Sequence, residues 1–514
     1  MRIARVASRA QLGLAAPRVQ VEVHLGGGLP TFSIVGLPAT AVRESKDRVR
    51  AAIAVAGFEW PAGRITVNLS PADLPKEGCR YDLPIALGLL LALDQVKIPE
   101  TELERCEFYG ELGLSGELKP IRGVLLAAAH AAQVGCHVVV PTANAFEARL
   151  AAPASTHHAA SLLGVCELFS SGKRDIADGP PGAGLPATPL TCARELDLVD
   201  VRGQAAPKRA LLVAAAGAHS ILLVGPPGAG KSMLAQRLPG LLPPLEAGEA
   251  IDVATIASVS TRGFEPRDYG RRPFRAPHHS ASASAVIGGG PHARPGEVSL
   301  AHRGVLFLDE LPEFNRAVLE SLREPLESGV VAISRAALQV EYPARFQLVA
   351  AMNPCPCGYL GDGSGRCRCA PPVIARYRSR ISGPLLDRID LRVEVPSLPS
   401  EELLGEGEAD TTVMESATAA ARVRGARHRQ LRRAGKLNAD LSGGEIQLHC
   451  RLDRNCRRLL AQARERLKLS ARATHRALRV ARTIADLENE TGPLDLPIGP
   501  AHLAEALQLR RAID

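Results

Sequence analysis

An apolar run, Ile221-Leu-Leu-Val224, leads straight into Gly225-Pro226-Pro227-Gly228-Ala229-Gly230-Lys231-Ser232, a complete G-x-x-x-x-G-K-[ST] loop. No other feature constrains the fold so tightly. The run reads as a buried strand, the glycines let backbone N–H groups wrap phosphates, and the loop opens a helix whose N-terminus faces the anion. Lys231 then reaches the β/γ-phosphates and the Ser232 hydroxyl ligates Mg²⁺. Residues 225–232 are therefore the candidate ATP-binding residues, on an α/β core with a parallel sheet.

A matching half follows at Gly304-Val-Leu-Phe-Leu-Asp309-Glu310. A second buried strand here delivers two carboxylates at its C-terminal end, where open α/β sheets bind ligands. Asp309 is expected to hold Mg²⁺ and Glu310 to polarise the attacking water. A third apolar strand, Leu348 to Ala351, precedes Asn353. Upstream, Pro207 to Ala216 reads as a helix. From residue 399 to 514 the pattern is helical, with helices expected at Ser416 to Arg433, Asn455 to Leu467, Thr474 to Glu490 and Pro500 to Ala512.

Further segments carry a resemblance: Asp200-Val-Arg-Gly-Gln204, Arg272-Pro-Phe-Arg-Ala-Pro-His-His279, Gly288-Gly-Gly290, Pro295-Gly-Glu-Val-Ser-Leu-Ala-His302, Asn353-Pro-Cys-Pro-Cys-Gly358 and Arg380-Ile-Ser-Gly-Pro-Leu-Leu-Asp-Arg-Ile-Asp390. With these the chain resembles the magnesium-chelatase-like branch of AAA+ ATPases, and within it the ComM/YifB family. The resemblance implies a P-loop AAA+ core over residues 197–398 and an all-α lid over 399–514. It makes Asn353 the sensor that helps position water, Arg388 the arginine finger and Arg479 a second sensor on a lid helix. It further implies a homo-oligomeric ring, a hexamer, acting on DNA: a branch-migration helicase that promotes integration of incoming strands in natural transformation. The same relationship suggests an alternative, an ATPase subunit that drives metal insertion into a porphyrin.

Residues 1–167 mix short β-type runs (Val19 to Val23, Ile65 to Leu69) with helical patterns (Ala41 to Ala56, Asp82 to Leu93) and read as an α+β unit, followed by a Gly/Pro/Ala-rich linker over 168–196. The unit resembles a Lon-protease-like domain through Pro75-Lys-Glu-Gly78, Asp82-Leu-Pro-Ile85 and Gly110-Glu-Leu-Gly-Leu-Ser-Gly-Glu-Leu-Lys-Pro-Ile121. In a proteolytic member a Ser and a Lys would form the dyad. Those positions fall here on Arg80 and near Leu125, so a peptidase is disfavoured and a non-proteolytic module is expected.

Charge points to a polyanionic partner. The formal net charge is +8. Between Ala420 and Arg482 there are 18 Lys/Arg against 4 Asp/Glu, a field that attracts nucleic acid or else a solvated helical face. Arg262 to Arg303 holds seven Arg against three acids, and the resemblance makes this stretch an insert facing the ring channel. An apparent hairpin, Val330 to Ser334 and Leu338 to Tyr342, carries Arg335 at its tip, the preferred DNA contact by comparison with related ring helicases. With one Trp and few Phe or Tyr, phosphate contacts without sequence preference are expected in place of base stacking.

Cys355, Cys357, Cys367 and Cys369 give C-x-C, nine residues, C-x-C on a Gly-rich loop. They either close a structural Zn²⁺ site or remain free thiols. The other seven cysteines have no framework spacing, which fits a reducing compartment. No apolar stretch reaches 18 residues and the start lacks a signal-peptide h-region, so a cytoplasmic protein with no membrane segment is expected.

Overall fold

The computed structural model describes residues 2–170, 196–290, 293–335, 338–363, 365–398, 415–489, 492–494 and 496–510, with only the backbone of Arg2, Arg335 and Leu338. The expected linker falls almost entirely on residues 171–195, outside the described residues.

The first 159 residues build a seven-stranded sheet in the order Thr31–Val35, Arg64–Ser70, Arg18–Gly26, Arg2–Arg9, Cys106–Phe108, His137–Pro141, Thr156–Ala159. Arg18–Gly26 pairs antiparallel with both Arg2–Arg9 and Arg64–Ser70, and the remaining pairs are parallel. Alternation does the sorting: Val19, Val21 and Val23 are buried while Arg18 and Gln20 are exposed, as a strand with one covered face requires. The covering element is the helix Asp82–Ala92, whose residues are almost all buried.

The central sheet has five parallel strands in the order Phe274–Arg275, Val305–Leu308, Gln347–Met352, Ile221–Val224, Leu391–Glu394. Three of these strands were legible as apolar runs; the outermost, Phe274–Arg275, is two residues long and half-buried, too short to show a period. The hairpin forms as Val330–Arg335 paired antiparallel with Leu338–Pro343. The Arg335 backbone sits at its distal end; its side chain lies outside the described residues.

Beyond residue 415 the regular elements are helical: Ser416–Ala434, Gly443–His449, Arg454–Arg466, Ala471–Glu488 and Pro500–Gln508. Ala471–Glu488 starts earlier than the apolar pattern indicated because Ser470 caps it, its hydroxyl accepting from the Ala473 N–H. This first turn puts Arg472 on the helix. Gly443–His449, unanticipated, is closed by a capping box between Ser442 and Glu445. Val423, Ala477 and Ile484 share one core with Leu223 and Val393 of the central sheet and with Leu211 on the helix Ala205–Gly217.

The N-terminal unit is keyed to the central one. Ser258, on the helix Ala247–Val259, donates to buried Glu147 at 2.5 Å, and its carbonyl accepts from the Gly123 N–H. Burial pushes the Glu147 carboxyl up, against the hydrogen bonds from Ser258 and Asn144. Gly13 lies against Val340 of the hairpin so closely that a Cβ there would fall 2.0 Å from Val340 Cγ1. Among the described residues no helix is long and apolar enough to cross a membrane.

Candidate nucleotide site

Strand register decides which residues meet. Val224 lies opposite Met352, and Leu308 opposite Ala350, so Gly225, Asp309 and Asn353 all emerge at the carboxyl edge of the sheet. Gly225 has no room for a side chain, since a Cβ would fall 2.1 Å from the Val395 carbonyl oxygen. Gly228 and Gly230 are needed for a different reason, their φ of +79° and +91°. The helix Lys231–Leu241 follows directly.

The Lys231 ammonium donates to the carbonyls of Gly225 (2.7 Å) and Pro226 (2.9 Å) and to Asn353 Oδ1 (3.0 Å). Burial lowers its proton affinity from the ordinary lysine value, with Asp309 and Glu310 acting the other way. The Ser232 hydroxyl donates to Asp309 Oδ2 at 2.7 Å, and Asp309 Oδ1 accepts the Glu310 N–H at 2.9 Å. A hydroxyl and a carboxylate oxygen in contact form a hard oxygen donor set that fits Mg²⁺. Glu310 stands in the left-handed region at φ +52°, and its Oε2 lies 3.1 Å from His279 Nδ1. The His279 ring lies tilted at 34° against His278, ring centroids 4.1 Å apart. Sequence reasoning named His279 only within a motif; its partnership with Glu310 spans 31 residues and leaves no periodic signal.

Arg388 and Arg479 are elsewhere. Arg388 precedes the strand Leu391–Glu394, whose first residue pairs with Ile221, so it sits at the amino edge, a strand of four residues and about 13 Å from the phosphate loop. There it lines a cavity of about 390 Å³ with Glu327, Arg472, His475, Arg476 and Arg479. Arg388 Nη2 is 2.7 Å from Glu327 Oε1, and Arg476 donates to the Arg388 carbonyl at 2.8 Å. Asp390 is buried among Arg476, His219 and the Ser220 N–H; burial raises its carboxyl, but the hydrogen bonds from His219 and Arg476 more than offset this and hold it well below the usual range. Among the described residues neither Arg388 Nε nor Arg479 Nε has a hydrogen-bond partner. The six candidate catalytic residues thus form two groups: Lys231, Asp309, Glu310 and Asn353 on one edge, Arg388 and Arg479 on the other.

The four thiols converge. Cys355, Cys357, Cys367 and Cys369 offer sulfurs all within 4.8 Å of one another, with Cys355 buried. Sγ–Sγ distances of 3.3, 3.7 and 3.7 Å among Cys355, Cys357 and Cys367 approach the ~3.8 Å edge of a tetrahedron with ~2.3 Å Zn–S bonds. The Tyr359 amide holds the Cys357 thiol down at about 6, whereas Cys367 is raised to about 11 and Cys369 is raised as well, so one of the four thiolates a metal needs is favoured before an ion binds. The loop leans on the nucleotide site: a Cβ at Gly358, φ +86°, would fall 2.5 Å from Pro227 Cδ.

The basic stretch looks different in three dimensions. Arg427, Arg429, Arg433 and Arg482 are spent on internal partners, chiefly the Ala215, Gly492 and Pro493 carbonyls and Asp486. The solvent-facing charge concentrates on the helix Arg454–Arg466, where Arg454, Arg457, Arg458, Arg464 and Arg466 are all exposed. In the N-terminal unit Arg80 is buried and donates to Gln11 Oε1 (2.9 Å) and the Arg122 carbonyl (2.8 Å), a cross-brace.

A five-stranded parallel sheet with a phosphate loop, a Mg²⁺-fitting Ser–Asp pair and a sensor-like Asn at one edge defines a P-loop ATPase of the AAA+ class. Three family models match the chain: magnesium chelatase subunit ChlI over residues 197–403, a subunit ChlI of Mg-chelatase model over 21–144, and the ChlI C-terminal model over 413–510. Competence protein ComM of Haemophilus influenzae is 48% identical over 514 residues, covering 100% of this chain and 98% of that protein. The uncharacterized protein YifB of Escherichia coli is 46% identical, with 100% and 98% covered. The magnesium-chelatase 38 kDa subunit of Rhodobacter capsulatus is 29% identical over 30% of this chain and 48% of that one. The chain belongs to the ComM/YifB family of magnesium-chelatase-like proteins, and that membership implies an ATPase.

Proposed function

We propose that the protein is an ATP-driven ring motor on DNA, a branch-migration helicase promoting homologous recombination of incoming strands in natural transformation. One observation carries the ring: Lys231 and Arg388 occupy opposite edges of the same sheet, so a nucleotide held by one chain meets Arg388 and Arg479 only from a second copy. Lys231 neutralises charge on the β/γ-phosphates, Glu310 orients and polarises the water, and Asn353 fixes Lys231 and the γ-phosphate relative to each other. Arg388 and Arg479 of the neighbouring chain stabilise charge spreading over the γ-oxygens, a contribution worth orders of magnitude in rate. Bound Mg²⁺, held by Ser232 and Asp309, supplies charge neutralisation. Cys355, Cys357, Cys367 and Cys369 would hold a structural Zn²⁺, and that ion would stiffen the wall beneath Pro227.

DNA as the substrate is supported by the exposed arginines on Arg454–Arg466, by the hairpin, and by the name of the H. influenzae relative. The working place is the cytoplasm. The alternative, a motor for metal insertion, draws on the magnesium-chelatase relatives, which cover less than half of the chain. A protease is disfavoured, because Arg80 fills the nucleophile position and is committed to Gln11 and Arg122. The test is ATP turnover with and without DNA, together with unwinding of forked and four-way junctions. A basal ATPase indifferent to DNA would favour the metal-insertion reading.

A further inference from the structure

Glu327 has an unusual position for a half-exposed carboxylate. One of its oxygens, Oε1, serves two guanidinium groups from different parts of the chain: Arg388 Nη2 at 2.7 Å and Arg472 Nη2 at 3.1 Å. Arg388 is the buried member, 8% exposed, and Glu327 is its only carboxylate partner among the described residues. The other acid nearby, Asp390, is already engaged by Arg476 and His219.

Glu327 is also mechanically close to the hairpin. It lies on the short helix Pro325–Ser328, and only Ser328 and Gly329 separate it from the first hairpin strand. That junction is stiff. The Ser328 hydroxyl accepts from the Val330 N–H at 3.2 Å, and the Ala344 N–H donates to the Gly329 carbonyl at 2.7 Å, tying both hairpin strands to the helix end. Gly329 has φ +70°, and a Cβ there would fall 2.8 Å from Arg345 Cγ, so the turn has no slack. The six paired positions of the hairpin make a lever of about 20 Å.

Resting on the ring-motor reading, we propose that Glu327 is the counter-ion that withholds Arg388 from the neighbouring chain's nucleotide, and that displacement of the hairpin by a DNA backbone releases it. A guanidinium bonded to a carboxylate cannot give the same N–H groups to a γ-phosphate, and a carboxylate beside the phosphate repels it. A shift of about 1 Å at the hairpin base takes the 2.7 Å contact outside hydrogen-bond range. Arg472, sharing the same oxygen, is positioned to take over the released carboxylate. Glu327 is thus a positioning residue acting through Arg388, and it sets how strongly hydrolysis depends on DNA.

The experiment compares full-length wild type with Glu327→Gln, Glu327→Ala, Arg388→Ala and the Glu327→Gln/Arg388→Ala double variant, measuring kcat and KM for ATP with and without single-stranded DNA, and thermal melting. The expected result is a DNA-free kcat raised about fivefold in both Glu327 variants with KM nearly unchanged, a stimulation ratio reduced by the same factor, and no rise in the double variant. Rates with and without DNA falling together at constant ratio, or a rise that survives loss of Arg388, would overturn the proposal. If wild type hydrolyses ATP without any response to DNA, the DNA-motor reading fails. Glu327 is then judged on DNA-free kcat alone, where a rise that depends on Arg388 upholds its counter-ion role and no rise refutes it.

Discussion

His279 Nδ1 lies 3.1 Å from Glu310 Oε2, linking the proposed water-polarising carboxylate to the loop that follows the edge strand Phe274–Arg275. A carboxylate on a left-handed residue at a strand end has several rotamers open to it, and the imidazole selects one. His279→Ala should lower kcat about tenfold with little change in KM for ATP, because the group that orients Glu310 is removed and the phosphate grip is kept. Glu310→Gln should lower kcat by about 10² or more. Steady-state kinetics check both, and a His279→Ala variant with wild-type kcat would remove the pair from the mechanism.

Separation of Lys231 from Arg388 leads to a complementation experiment. Lys231→Ala and Arg388→Ala chains should each be nearly inactive, whereas a mixture should recover part of the turnover at interfaces that combine one intact Lys231 with one intact Arg388. Titration of one variant into the other, with ATPase rate as readout, checks this. Full activity from a dilute monomer would end the shared-site reading.

Metal content gives a third prediction. Zinc analysis of the purified chain should return about one ion per chain, absent from Cys357→Ser, with a lowered melting temperature because the ion's binding free energy is folding free energy. Gly358→Ala should keep the ion but raise KM for ATP several-fold, since its Cβ is driven against Pro227. Comparing the two variants separates the metal from the wall it supports.

Acid sensitivity should trace in part to His302. It is buried beside the strand that carries Asp309, and its Nδ1 accepts the Arg345 N–H at 3.1 Å. Burial, with Arg303 and Arg345 adding to it, lowers its pKa to about 4. The unfolded chain takes up that proton near pH 6.5 and the folded one does not, so stability from this group is complete above about pH 6.5 and is lost as pH falls toward 4. The loss amounts to about 3 kcal/mol at most. His302→Gln, whose amide oxygen can still accept, should flatten denaturant-measured stability across that window.

Electrostatic DNA binding should show in salt. Replacing Arg457, Arg458 and Arg464 by Gln should reduce the slope of log affinity against log salt by about 0.7 for each phosphate that is no longer neutralised on a single strand. Replacing Arg429 and Arg433, already committed to internal acceptors, should instead lower stability. Fluorescence anisotropy across a salt series and melting curves distinguish the two sets.

These contrasts mark what one chain of letters can carry. The phosphate loop and its strand were legible because strand, glycines, Lys231 and Ser232 are contiguous and each is required by the same chemistry. Asp309 was legible because a buried apolar strand precedes it, whereas Asn353 was singled out only through the family resemblance. Charge was misleading for the opposite reason: eighteen cations between Ala420 and Arg482 look alike in sequence, and only packing separates Arg433, gripped by Asp486, from exposed Arg457. His279 with Glu310, Glu327 with Arg388 and Ser258 with Glu147 depend on sheet order and on the meeting of remote segments, which no local pattern encodes.

A site divided between two edges of a sheet also counts. An open row of n subunits has n − 1 completed seams, leaving the last phosphate loop without its arginines and the first arginines without a phosphate. Closing the row adds a working centre without adding a chain. Under the ring reading, fuel consumption per chain therefore reports whether the circle around its track is shut, and a subunit adrift from the assembly burns almost nothing.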